Sequence, residues 1–268
     1  MLTTVLLPYL VVALASLGAA GLTMYSGFGL GTLLLPIFAL FFPVEMAVAA
    51  TAVVHMANNL FKIALVGRYA DRGLIINFGV PALLAALVGA AALGLVAGLG
   101  TITSYTLGPH TATITPIKLL MGCLIFVFAL FELLPRLRQL KFDRRYLPLG
   151  GLLSGFFGGL SGHQGALRSA FLVKTGVSTE AFVGTNAVIA FMVDLARLAT
   201  YGIMFWLAGT LSPLGAEQWP LVLTGIIAAF SGVILGKRLL DKVTMGAIKT
   251  LTGVLLLAIA IALGAGLV

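Results

Sequence analysis

Long apolar runs, interrupted by charges, prolines or glycine clusters, dominate the 268-residue chain. They cover residues 5–42, 44–66, 74–98, 116–134, 147–173, 179–207, 219–236 and 246–267. About 20 consecutive apolar residues suffice for an α-helix to cross a bilayer. The first and fifth runs differ from the rest, because they contain Ser26-Gly27-Phe28-Gly29-Leu30-Gly31 and Gly158-Gly159-Leu160-Ser161-Gly162-His163-Gln164-Gly165. Glycine at that density does not sustain a helix interior. Each of these two runs predicts a re-entrant or broken helical hairpin, and the other six predict spans.

The pattern repeats. At an offset of 135 residues, Ser26-Gly27 falls on Ser161-Gly162, Glu45 on Glu180, Asn59 on Asp194, Lys62 on Arg197 and Gly67 on Gly202. Further along, Pro81 meets Pro220 and Ile117-Lys118 meets Ile248-Lys249. Two copies of one unit follow: residues 1–134 (hairpin 5–42, helices 44–66, 74–98 and 116–134) and 147–268 (hairpin 147–173, helices 179–207, 219–236 and 246–267), joined by a basic linker, 135–146. Each unit is one hairpin plus three spans, and an odd number of spans turns the second copy upside down. The expected fold is an all-α integral membrane protein of two inverted repeats. Eight spans in parallel repeats is the alternative.

Composition agrees with a bilayer as solvent: 60% of residues are hydrophobic and 9% charged, where a soluble domain carries about 25% charged residues. The net charge of +8 raises nucleic acid as a partner, but its distribution answers otherwise. Arg68, Arg72, Arg136, Arg138, Lys141, Arg144, Arg145, Lys174, Lys237, Arg238, Lys242 and Lys249 all fall at one predicted edge, as cytoplasmic loops do. Loops 99–115 and 208–218 have no Lys or Arg and read as external. The N-terminal segment lacks a basic start and is expected to remain as structure rather than as a cleaved leader. Cys123 is the single cysteine and the three histidines are scattered, so no metal or cofactor is expected.

Two unwound breaks at corresponding places mark a binding site for a transported solute. The helices after Gly31 and Gly165 start with free amides at their positive dipole ends, which suits an anion. Candidate ligands are Ser26, Gly27, Gly29, Gly31, Ser161, Gly162, His163, Gln164, Gly165 and Arg168, with Arg168 foremost because its own hairpin has no acidic residue. Thr51, His55, Asn58 and Lys62 share one face of the second run, with Asn59 beside it, and Asn186, Asp194 and Arg197 occupy the corresponding face of the sixth. These are secondary or gating candidates. Asp194 and Arg197, three apart, read as a self-neutralising pair, while Lys62 could reach the interface. Glu45 and Glu180 open spans and suit the helix dipole. No nucleophile with its base, paired carboxylates or metal cluster appears at depth, so an enzyme is not expected.

The hairpins Ser26 to Gly31, leading to Pro36, and Gly155 to Gly165 resemble those of the TauE/SafE family of permeases, over the whole chain. The resemblance implies a multi-pass carrier of the bacterial-type plasma (inner) membrane, exporting small sulfur-containing oxyanions such as sulfite, sulfoacetate or other organosulfonates. The first hairpin has Phe28-Gly29 where the second has His163-Gln164, so polar coordination leans on the second. A proton- or cation-coupled carrier of another small solute, or a non-transporting scaffold subunit, are the competing readings. Expected partners are a small anionic solute and the lipid bilayer, not nucleic acid. Homo-oligomerisation is left open.

Overall fold

A computed structural model of the chain describes residues 2–26, 30–108, 110–207, 214–239 and 245–267. Helices α1 (Leu2–Ser26) and α2 (Leu30–Ala39) form the first broken segment, and α3 (Val44–Val66) begins directly after Pro43. A short helix α4 (Arg72–Leu74), capped by the Asp71 carboxylate, passes through a π-turn at Ile75–Gly79 into α5 (Val80–Ala97). Pro81 has no N–H to offer the preceding turn, and the wide π-turn is how the helix accommodates it. An antiparallel hairpin, β1 (Thr103–Leu107) and β2 (His110–Ile114), precedes α6 (Pro116–Leu133), which is capped by Thr115. Helix α7 (Pro135–Arg138) lies in the basic linker. The second broken segment is α8 (Leu147–Ser161) and α9 (Gly165–Leu172), followed by α10 (Thr179–Leu207), α11 (Trp219–Leu239) and α12 (Met245–Gly264).

Among the described residues, six stretches are long and apolar enough to cross a membrane: Leu6–Thr23, Val44–Tyr69, Arg72–Ala97, Pro116–Leu133, Thr179–Leu207 and Trp219–Gly236. The chain is an integral, multi-pass, all-α membrane protein. Its two broken segments are unequal. With 25 residues α1 is of spanning length, roughly 37 Å, whereas the 15-residue α8 reaches only about 22 Å. The polarity of the body is inverted relative to a soluble domain: Leu14, Leu95 and Ile227 face outward, while Thr51, His55, Asn58, Asp194 and Arg197 are buried.

Backbones approach closely through small residues. Helix α8 lies parallel to α5, with Gly151 against Phe78, Gly155 against Ala82 and Gly159 against Ala86. Helix α1 lies parallel to α11 in the same manner, Ser16 meeting Gly225 and Gly21 meeting Gly232 and Gly236. Two further partnerships are antiparallel. Gly122, early in α6, touches Ala260 and Gly264 late in α12, while Gly253, early in α12, touches Leu133 at the end of α6. Helices α3 and α10 also oppose each other, with Gly184 against Val66 near one end and Ala49 sharing a cavity with Tyr201 near the other.

The ends of the bundle differ in chemistry. At one, the Asp71 N–H donates to Thr185 Oγ1 (2.8 Å) and the Phe142 N–H to the Ala170 carbonyl (3.0 Å). The first joins the Arg68–Arg72 turn to α10, and the second joins the linker to α9. At the other end, Tyr105 donates to the Ala265 carbonyl (2.6 Å) and the Thr113 N–H to the Gly266 carbonyl (3.1 Å). The strand hairpin thereby clasps the C-terminal end of α12. The sequence pattern leaves this segment as a loop, although its β-branched residues and Gly108 (φ 61°) suit a hairpin.

Candidate solute site between the helix breaks

The second break is made by Gly162. It follows Ser161 at the C-terminus of α8 with φ +81°, the left-handed conformation that ends a helix and that glycine adopts without strain. His163 and Gln164 then turn the chain into α9, whose first turn has no side-chain cap. The Ser161 hydroxyl donates to the Phe157 carbonyl (3.1 Å) and lies 3.2 Å from His163 Nδ1. The imidazole stacks on Phe128 (5.3 Å between centroids), and its Nε2 is buried without a hydrogen-bond partner. Gln164 is held from two sides. Its carbonyl accepts from Ser154 Oγ (3.2 Å) and its Oε1 from Arg168 Nη1 (3.1 Å), while its Nε2 has no partner.

The start of α2 approaches this point. At Gly31, in the first turn of α2, an added Cβ would lie 3.5 Å from the Gly162 carbonyl, 3.5 Å from Thr51 and 3.8 Å from His55 Cδ2. Gly31 of α2 and Gly162 after α8 are therefore neighbours. Gly27, Gly29 and the Ser26 side chain lie outside the described residues. Gly165 opens α9 and is buried, close behind Gly162.

Beside Gly31 and Gly162 lies a charged cluster contributed by α3 and α10. Asp194 Oδ2 is 2.6 Å from His55 Nδ1, and Asp194 Oδ1 is 2.8 Å from Arg197 Nη2. The arginine contact is an ion pair set off the hydrogen-bond direction, so Nε, Nη1 and Nη2 of Arg197 all lack hydrogen-bond partners. Arg197 is 0% exposed, and its Nη1 lies against Gly162, 2.6 Å from where a Cβ would stand. Asn59 donates through Nδ2 to the His55 carbonyl (2.9 Å) and lies 3.4 Å from Asp194 Oδ2. Thr51 Oγ1 and both amide atoms of Asn58 are buried without partners.

Several of these placements differ from the sequence expectation. Arg168 is not an unpaired guanidinium: its Nε donates to Asn186 Oδ1 (2.6 Å) and its Nη1 to Gln164, two neutral acceptors that fix the break. Asn186 therefore supports Arg168. Asp194 is the partner of His55, and Lys62 is buried (6% exposed) rather than extended to an interface. Arg197, read from spacing as half of a self-contained pair, is the guanidinium that touches the break. Ser154, Phe128 and Tyr201 were not singled out from the sequence. Tyr201 follows Arg197 by one turn of α10, and its hydroxyl donates to the Gly159 carbonyl (2.7 Å). It also borders a cavity of about 220 Å³ near the hairpin-bearing end, whose walls include Glu45, Leu93, Met204 and Phe205.

A membrane protein in which the first turn of one helix meets the break between two others beside buried, unsatisfied polar groups has the build of a solute transporter. Residues 12–263 match the family model of the sulfite exporter TauE/SafE, nearly the whole chain. The chain belongs to this family of membrane transporters. No match is found among curated proteins.

Proposed function

We propose that the protein is a secondary transporter that exports small sulfur-containing oxyanions, such as sulfite, sulfoacetate or other organosulfonates, through a site between the two hairpin tips. The observation that carries this reading is Arg197: a fully buried guanidinium set against Gly162, with its N–H groups lacking hydrogen-bond acceptors. A buried N–H left unsatisfied costs about 1–3 kcal/mol. Two oxygens of a sulfite or sulfonate group match the guanidinium fork, and the group's remaining surface meets His163 Nε2, Gln164 Nε2 and Thr51 Oγ1. Gly162, Gly165 and Gly31 leave room for the ligand to reach backbone amides, and Arg168 with Asn186 holds Gln164 in place.

Alternating access follows from two inverted repeats, 1–134 and 147–268, on either side of the linker. The antiparallel crossings of α3 with α10 and of α6 with α12 support this division, as does the reciprocal pairing of α1 with α11 and α8 with α5. Asn59 and Asp194, matched by the 135-residue offset, lie 3.4 Å apart, as equivalent residues do beside a twofold axis. The cavity at Glu45 and Tyr201 is the approach from the uncharged end, with the Tyr201–Gly159 hydrogen bond closing it from the site.

The test is flux in proteoliposomes with sulfite, thiosulfate, sulfoacetate, sulfate and chloride. Sulfite or a sulfonate should move, and Arg197→Gln and Arg197→Lys should lower its flux at least about tenfold while eluting as folded protein, since one charged hydrogen bond is worth about 1.5–3 kcal/mol. Unchanged flux in both variants would remove the anion site from Arg197.

A further inference from the structure

We infer that the anion is carried together with a proton, taken up by the His55–Asp194 pair. This rests on the anion site proposed above. Asp194 and an anion bound at the break compete for the same guanidinium, because Arg197 faces the carboxylate through Nη2 and Gly162 through Nη1. While Asp194 is a carboxylate, it holds part of Arg197's charge. A proton delivered to the pair neutralises that carboxylate's claim and turns Arg197 toward the anion, so each ligand favours the other by the same factor.

The geometry also says where the proton goes. Nδ1 of His55 faces a carboxylate oxygen at 2.6 Å, so Nδ1 carries the hydrogen in the resting state and Nε2 is the basic atom. Cδ2, bonded to Nε2, lies toward Gly31 at the first break, on the solute side of the ring. The incoming proton forms one N–H bond at Nε2 and gives an imidazolium beside the Asp194 carboxylate. The same proton leaves from there on the other side, and no other bond changes.

Among the described residues, the charged and titratable groups that act on the pair are Arg197 and Tyr201 on α10 and Arg168 on α9; Lys62 on α3 faces Arg168, and His163 faces Arg197. Helices α2 and α5 contribute no charged residue. The neighbours with permanent charge are thus cations, and an anion at the break offsets the positive field that a proton on His55 would meet. Asn59, held between the His55 carbonyl and Asp194, positions the pair.

The experiment uses the full-length protein in proteoliposomes containing a pH-sensitive dye, with the membrane potential clamped by potassium and valinomycin. An inward gradient of sulfite or of isethionate, a sulfonate with no titratable proton near neutral pH, is then imposed. Isethionate entry should acidify the lumen by about one proton per anion, the ratio expected when one pair titrates per transport cycle. Asp194→Asn should bring that ratio to zero, and His55→Gln should lower it should the aspartate variant fail to fold. For sulfite, which carries its own proton, the wild-type signal should exceed that of Asp194→Asn. Entry of isethionate at constant lumenal pH, or equal sulfite signals in both proteins, would overturn the coupling and leave the transporter reading standing. Failure of both anions to enter the wild-type vesicles would overturn the transporter reading, and the coupling with it.

Discussion

Gly162 carries two constraints at one position. Its φ of +81° strains any L side chain, and a Cβ would press on Arg197 Nη1 at 2.6 Å. Gly162→Ala should therefore displace the guanidinium and abolish anion flux, at a stability cost of order 1–3 kcal/mol. Gly31→Ala is the informative contrast, because its Cβ would meet neighbours no closer than 3.5 Å. That variant should fold normally and show weaker solute affinity, seen as a raised half-saturation concentration with an unchanged melting temperature. At this scale the sequence was partly legible. The Asp194–Arg197 ion pair follows from a three-residue helical spacing and is observed at 2.8 Å. The His55–Asp194 contact joins residues 139 apart on different helices, and local periodicity contains nothing that brings them together. The partners of Arg168 are hidden for a related reason. Its partners are amides, Gln164 and Asn186, so a search for carboxylates could not find them.

Helices were the most legible level, because a bilayer demands continuous apolar stretches and glycine clusters interrupt them where hydrogen-bonded helix would otherwise continue. The π-turn at Ile75–Gly79 and the strand hairpin were not legible. One is a local response to Pro81, and the other depends on docking against the end of α12. The small residues Gly151, Gly155 and Gly159 repeat every fourth position of α8 and set its distance from α5. A Cβ at Gly155 would stand 2.5 Å from Ala82 Cα, backbone that cannot rotate away. Gly155→Ala should lower the melting temperature in detergent through overpacking of about 1–3 kcal/mol. Gly202→Ala on α10, where a Cβ meets nothing within 4 Å, should leave it unchanged or raise it slightly. Equal melting temperatures for the two variants would contradict the close packing of α8 on α5.

At the scale of the molecule, α1 leans on α11, α8 on α5, α3 on α10 and α6 on α12. Every one of these partnerships joins the part of the chain before the basic linker to the part after it. The linker itself holds α9 through the Phe142 N–H to Ala170 bond and the stack of Phe142 on Phe171 (4.3 Å), but those contacts belong to the second half. Covalent continuity between the halves is then incidental to the fold. Expressed separately, 1–134 and 147–268 should each be degraded, having left their mating helices without partners. Produced together as two polypeptides, they should co-purify and regain a measurable share of the anion flux, and recovery of either fragment alone as a stable folded species would contradict this. The carrier is in effect a heterodimer whose two subunits happen to be translated in one piece.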